Sequence, residues 1–131
     1  MESVGLKVIQ TPSITSITAD ELNDRIKRNN TPALLIDVRT PEECQQLWGH
    51  IENAIHIPLK DLKKNLHRFE EYKDKEVVTI CTGGGRSYMG ALILAQCGFM
   101  HIRNLEHGMM SWYNKDYPIV KDLKNVGGLG T

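Results

Sequence analysis

One cysteine in this sequence has the company that thiol chemistry needs. Cys81 follows an apolar, β-branched run (Glu76 to Ile80, EVVTI) and opens the stretch CTGGGRS, which places Arg86 five residues further on. Gly83, Gly84 and Gly85 can take positive φ, so successive backbone N–H groups can turn inward and form an anion-binding nest. The helix opening at Arg86 and Ser87 adds unpaired N–H groups and the positive end of its dipole. Arg86 contributes a fixed charge with several donors. This setting favours the thiolate, the nucleophilic form of cysteine, and holds an anion beside it. Without Arg86 the pattern would equally fit a buried cysteine before an ordinary turn, because cysteine is among the most buried residue types.

The other thiols are less well placed. Cys97 precedes the helix-ending Gly98 and reads as a packing residue. Cys44 lies on a polar helix and is the candidate for an exposed relay thiol. The histidines show no i,i+4 spacing with one another, so no metal site is expected. There is no dinucleotide fingerprint, and no cofactor is expected.

The elements that must position Cys81 can be read in order. Residues 1–12 carry little periodic signal and form an N-terminal extension. Ser13 to Thr18 alternates with β-branched residues as a short edge strand. A capping box follows, with Thr18 or Asp20 as cap, and its helix runs to about Asn29, where Asn30-Thr31-Pro32 breaks it. Ala33 to Asp37 is a continuous apolar run ending in a carboxylate, as a buried parallel strand would. Pro41-Glu42-Glu43 opens a helix with acids in its first turn, which suits the dipole, extending to about Trp48. Asn53 to Ile57 reads as a strand closed by Pro58. Asp61 to Tyr72 reads as an amphipathic helix with Leu62, Leu66 and Phe69 on its buried face. After the Cys81 strand, loop and helix, Met100 to Leu105 is a fifth strand and Gly108 to Asn114 a short helix carrying Trp112. Residues 121–131 end in GGLGT and are expected to form a flexible tail.

Alternating strands and helices predict an α/β fold: one central parallel sheet of about five strands with helices on both faces. Sites in such sheets lie at the carboxyl ends of the strands. Arg39, Pro58, the Cys81 loop and His107 therefore belong on one edge.

Composition narrows the function class. The chain has 131 residues, 40% apolar and 24% charged, with 16 basic residues balanced by 16 acidic ones. That length suits one domain, and the balance gives no reason to expect nucleic acid or an anionic membrane as partner. The longest apolar runs are about five residues, against about twenty for a membrane span. MESVGLKVIQ lacks an apolar signal core, and an odd number of widely spaced cysteines suits reduced thiols in a cytoplasmic protein.

With these residues in place, the chain resembles a known family. DVRTPEE (37–43), GHIENAIHIPL (49–59), CTGGGRS (81–87) and GMMSW (108–112) look like the successive motifs of a single-domain rhodanese (thiosulfate sulfurtransferase), over residues 13–120. The resemblance implies that Cys81 is catalytic. Its thiolate would attack the outer sulfur of thiosulfate or a related donor, release sulfite and become a persulfide. Cyanide, a thiol or a protein acceptor would then take the sulfur. Thr82, Gly83, Gly84, Gly85, Arg86 and Ser87 would bind the persulfide and the donor's oxyanion. Asp37 and Arg39 match an Asp-x-Arg pair that supports the site, and Trp112 matches a core tryptophan. The sequence departs from the pattern in a longer Glu43–Gly49 connection, in Glu52-Asn53 where Pro-Gly is frequent, and in His107-Gly108 where Gly-Gly is common.

Two other readings share the parts. Cysteine-dependent phosphatases and arsenate reductases also use a cysteine, inward amides and an arginine. Their usual loop is one residue longer, and Ile80 stands where phosphatases commonly have histidine. A non-catalytic sulfur-carrier or interaction module is the third reading, since a fold can persist without its chemistry.

Overall fold

All five strands run parallel, in the order β1-β5-β4-β2-β3. The strands are β1 (Ser13–Ile17), β2 (Leu34–Asp37), β3 (Ile55–His56), β4 (Glu76–Ile80) and β5 (His101–Leu105). The helices are α1 (Ala19–Lys27), α2 (Pro41–Gln45), α3 (Leu59–Asn65), α4 (Gly85–Gln96) and α5 (Gly108–Asn114). The computed structural model describes residues 11–46 and 48–121. Most of the expected N-terminal extension, Leu47 and nearly all of the expected tail lie outside the described residues.

β4, the strand that delivers Cys81, is central, with β5 on one side and β2 on the other. Its run is β-branched and buried from Val77 to Ile80, which suits a strand covered on both faces. Alternation along β2 and β4 divides the core. Leu34, Ile36 and Val77 pack with Leu62, Leu66 and Leu94 from α3 and α4. Leu35, Val78 and Ile80 pack with Leu22, Met109 and Trp112 from α1 and α5. Trp112 is buried, as expected, and its indole N–H donates to the Pro118 carbonyl at 2.7 Å.

Local chemistry trims several expected elements. Thr18 is the α1 cap: its hydroxyl accepts from the Glu21 N–H at 3.0 Å. The expected third strand shrinks to Ile55–His56, because Asn53 takes a left-handed turn conformation (φ +72°). The helix expected to reach Trp48 ends at Gln45, and Gln46 is extended. Arg39 Nη1 takes the Glu43 carbonyl at 3.4 Å and the Gly49 N–H takes the Gln46 carbonyl at 2.8 Å, so the last turn bonds outward. The helix expected over 61–72 begins at Leu59, and after Asn65 tightens into a 3-10 segment, Leu66–Tyr72, broken at Phe69 (φ −124°). Its apolar face, Leu62, Leu66 and Phe69, is buried all the same.

Hydrogen bonds beyond the ladder knit the carboxyl edge. Val38 N–H donates to Ile80 O at 2.9 Å, Ile57 N–H to Asp37 O at 3.0 Å and Glu106 N–H to Ile17 O at 2.8 Å. The connections leaving β2, β3 and β5 are thereby held against neighbouring strands.

Candidate active site

Cys81 leaves the end of β4 with its side chain buried. Two donors face its sulfur. The Gly84 N–H lies 3.0 Å from Sγ and the Ser87 hydroxyl 3.2 Å from it. Gly84 caps α4 in a left-handed conformation (φ +109°), which turns its N–H back toward the strand end and which a side chain would oppose. Cys81 thus sits at the N-terminus of a 12-residue helix, where exposed N–H groups and the dipole favour negative charge.

Ser87 is buried and has one hydroxyl proton for three neighbours: Sγ, Gly84 O at 3.2 Å and Asn104 Oδ1 at 2.5 Å. It can serve one at a time. Asn104 Nδ2 donates to Gly84 O at 3.0 Å, so a β5 side chain braces the turn that carries the Gly84 amide. Nothing local in the sequence marks Asn104. Only the pairing of β4 with β5 brings it to the loop.

The far side of the loop is clamped by α5. Met109 N–H donates to Cys81 O at 2.8 Å and Met110 N–H to Thr82 O at 2.9 Å. This close approach requires Gly108 (φ +52°), where a Cβ would stand 2.2 Å from Cys81 O and 2.6 Å from Thr82 O. Gly108→Ala is expected to destabilise the fold by more than about 2 kcal/mol, from positive-φ strain and the backbone clash together. Urea unfolding measures it, and an unchanged midpoint would show that the clamp yields freely. His107, expected on this edge, caps α5 with its ring exposed, 3.4 Å from Glu106.

Arg86 does not stand free. Its two terminal nitrogens each lie 2.7 Å from one carboxylate oxygen of Glu43. Glu43 also closes the α2 capping box, accepting from the Thr40 N–H at 2.9 Å. Hydrogen bonding to Arg86, against a smaller cost of burial, lowers the Glu43 pKa to about 2, so the pair stays ionised through neutral and mildly acid pH. Glu43 was legible as a first-turn acid. Its pairing with Arg86, 43 residues away, was not.

Asp37 and Arg39 form a buried ion pair behind the loop, each 1% exposed. Asp37 Oδ1 accepts from the Arg39 N–H at 3.1 Å and Nε at 3.0 Å, and Oδ2 accepts from Nη2 at 2.8 Å. Nη2 also donates to Gly49 O at 2.6 Å, while His56 Nε2 lies 2.6 Å from Arg39 O. Burial opposes the Arg39 charge, but hydrogen bonds and attraction to Asp37 outweigh it and raise its pKa. The guanidinium therefore ties β2, α2 and the segment before β3 together, and the Arg39 carbonyl adds the contact with β3. Beside it a cavity of about 260 Å³ is lined by Arg39, Glu43, Gln46, Trp48 and Thr82.

Cys44 is not the exposed thiol its helix suggested. It is fully buried, and burial pushes its pKa up to about 12. Among the described residues, no group of three or more His, Cys, Asp or Glu is arranged to hold a metal ion, and no helix is long and apolar enough to cross a membrane.

The rhodanese-like domain model matches residues 18–115, and the chain belongs to that family. A sulfurtransferase from Allochromatium vinosum is 33% identical over 107 residues, 82% of this chain and 95% of the relative. The thiosulfate sulfurtransferase PspE of Escherichia coli is 38% identical over 69 residues, 53% of this chain and 64% of the relative. The crystal structure of a rhodanese-related protein from Thermoplasma volcanium superposes with a TM-score of 0.69 at 35% identity, covering 82% of this chain and 99% of that one. Some matched relatives are far longer: the chain spans 28% of a tRNA uridine(34) hydroxylase from Cronobacter sakazakii at 32% identity over 103 residues.

Proposed function

We propose that this protein is a rhodanese-type sulfurtransferase that moves a sulfane sulfur from thiosulfate or a related donor to cyanide or a thiol through a Cys81 persulfide. One observation carries the reading: the Cys81 sulfur lies at the start of α4 with the Gly84 amide and the Ser87 hydroxyl as donors. The Cys81 thiolate attacks the outer sulfur of the donor. The new Sγ–S bond forms as the donor's S–S bond breaks, and sulfite departs with the electron pair. The acceptor then attacks the outer sulfur, and the Cys81 thiolate is the leaving group.

Thr82, Gly83, Gly84, Gly85, Arg86 and Ser87 form the cradle for the added sulfur in this reading. Asp37 and Arg39 hold the scaffold behind it. Residues 13–120 are the working unit. Three free cysteines suit a reducing compartment, and we assign the protein to the cytoplasm.

Because sulfite leaves before the acceptor attacks, initial rates of thiocyanate formation from thiosulfate and cyanide are expected to give parallel double-reciprocal lines. Intersecting lines would mean that donor and acceptor bind together, and would overturn the covalent route.

A further inference from the structure

Beyond the backbone amides and the α4 dipole, the described side chains around Cys81 offer no free positive charge to a dianion. Arg86 is the only cation in CTGGGRS, and Glu43 engages both of its terminal nitrogens. The Cys81 thiolate is a smaller attraction for the same guanidinium, so Arg86 stands within electrostatic reach of the sulfur but is committed elsewhere. Arg39, the next cation, is buried and matched by Asp37. The His107 ring is exposed and lies beside Glu106. The loop and the pair behind it hold two guanidiniums, each matched by a carboxylate, and Thr82 to Gly85 are uncharged.

We propose that Glu43 determines donor specificity: by holding Arg86 it turns the site from oxyanion donors toward a small organic persulfide. This rests on the reading of Cys81 as the persulfide carrier. Thiosulfate brings a dianion to the Cys81 thiolate, whereas an organic persulfide brings one negative charge at most, and none in the protonated form R–S–SH that the thiolate attacks. In the latter case the thiolate attacks the terminal sulfur, which keeps its proton. The Cys81–sulfur bond forms, the donor's S–S bond breaks, and R–S⁻ leaves with the electron pair. The cavity of about 260 Å³ beside Thr82, walled partly by the Trp48 indole, gives the R group a place. It is smaller than the roughly 300–1,000 Å³ of drug-sized sites, which suits a small thiol.

Helix capping does not require the acid, since glutamine serves equally at this capping-box position. Glu43→Gln therefore keeps the cap and removes the charge that holds Arg86. The test compares loading of Cys81 by thiosulfate and by 2-hydroxyethyl persulfide. Wild-type protein is expected to favour the persulfide. In E43Q the thiosulfate-to-persulfide ratio of kcat/KM is expected to rise about tenfold, about 1.4 kcal/mol, chiefly through a lower KM for thiosulfate. The gain must disappear in E43Q/R86Q. A ratio unchanged within about twofold, or a gain that survives in the double variant, would overturn the proposal.

A second measurement needs no variant. In wild-type protein, sulfate is expected to slow persulfide loading no more than chloride at equal ionic strength, and selective inhibition by sulfate would contradict the proposal. If neither donor loads Cys81 in any variant, the sulfur-transfer reading itself falls and this inference with it.

Discussion

Cys81→Ser is expected to lower sulfur transfer by roughly a thousandfold or more while leaving the fold intact. The loss is chemical. A serine hydroxyl is scarcely ionised at neutral pH and cannot carry sulfur as a persulfide. The structural change is small, because a serine Oγ keeps the Gly84 N–H and Ser87 hydroxyl as partners. Unfolding free energy is expected to move by no more than about 1 kcal/mol, the scale of one hydrogen bond. Residual transfer near the wild-type rate would remove Cys81 from the reaction.

Asp37→Ala is expected to cost about 3–5 kcal/mol of stability, because it strands the buried Arg39 guanidinium. That is a large part of the 5–15 kcal/mol typical of a domain. Asp37→Ala/Arg39→Met is expected to be more stable than Asp37→Ala alone, since it removes the orphaned charge. Full recovery is not expected, because Gly49 O loses its 2.6 Å donor. Urea unfolding of the single and double variants measures both effects. A loss below about 1 kcal/mol in Asp37→Ala would show that water or a rearranged partner satisfies Arg39. The donors to the Cys81 sulfur are the Gly84 N–H and the Ser87 hydroxyl, not Asp37 or Arg39, so activity lost in Asp37→Ala is expected to follow the folded fraction.

How much of this was legible in the sequence depends on the range of each interaction. β4, the Gly84 turn and α4 are encoded within about twenty residues, by a β-branched run, glycines and an apolar helix, and they appear where expected. The parallel sheet followed from alternation of elements. The partners that complete the site come from other elements. Glu43 reaches Arg86 from α2, and Asn104 reaches Ser87 from β5. Periodicity marks neither, because each pairing exists only after β4 has taken its neighbours. Cys44 differs from its sequence expectation for a related reason: its polar sequence neighbours suggest exposure, while Asp37 and Arg39 stand beside it in the fold and it is buried. Helix ends failed where loop and side-chain donors took the last carbonyls, as Arg39 and Gly49 do for α2.

The most direct test is the intact mass of the reduced protein after brief exposure to thiosulfate, and in parallel to 2-hydroxyethyl persulfide, followed by peptide mapping. One added sulfur on the peptide carrying Cys81, removed by cyanide with release of thiocyanate and absent from Cys81→Ser, is the predicted result. No added sulfur from either donor, on folded protein whose Cys81 still alkylates, would contradict the assignment.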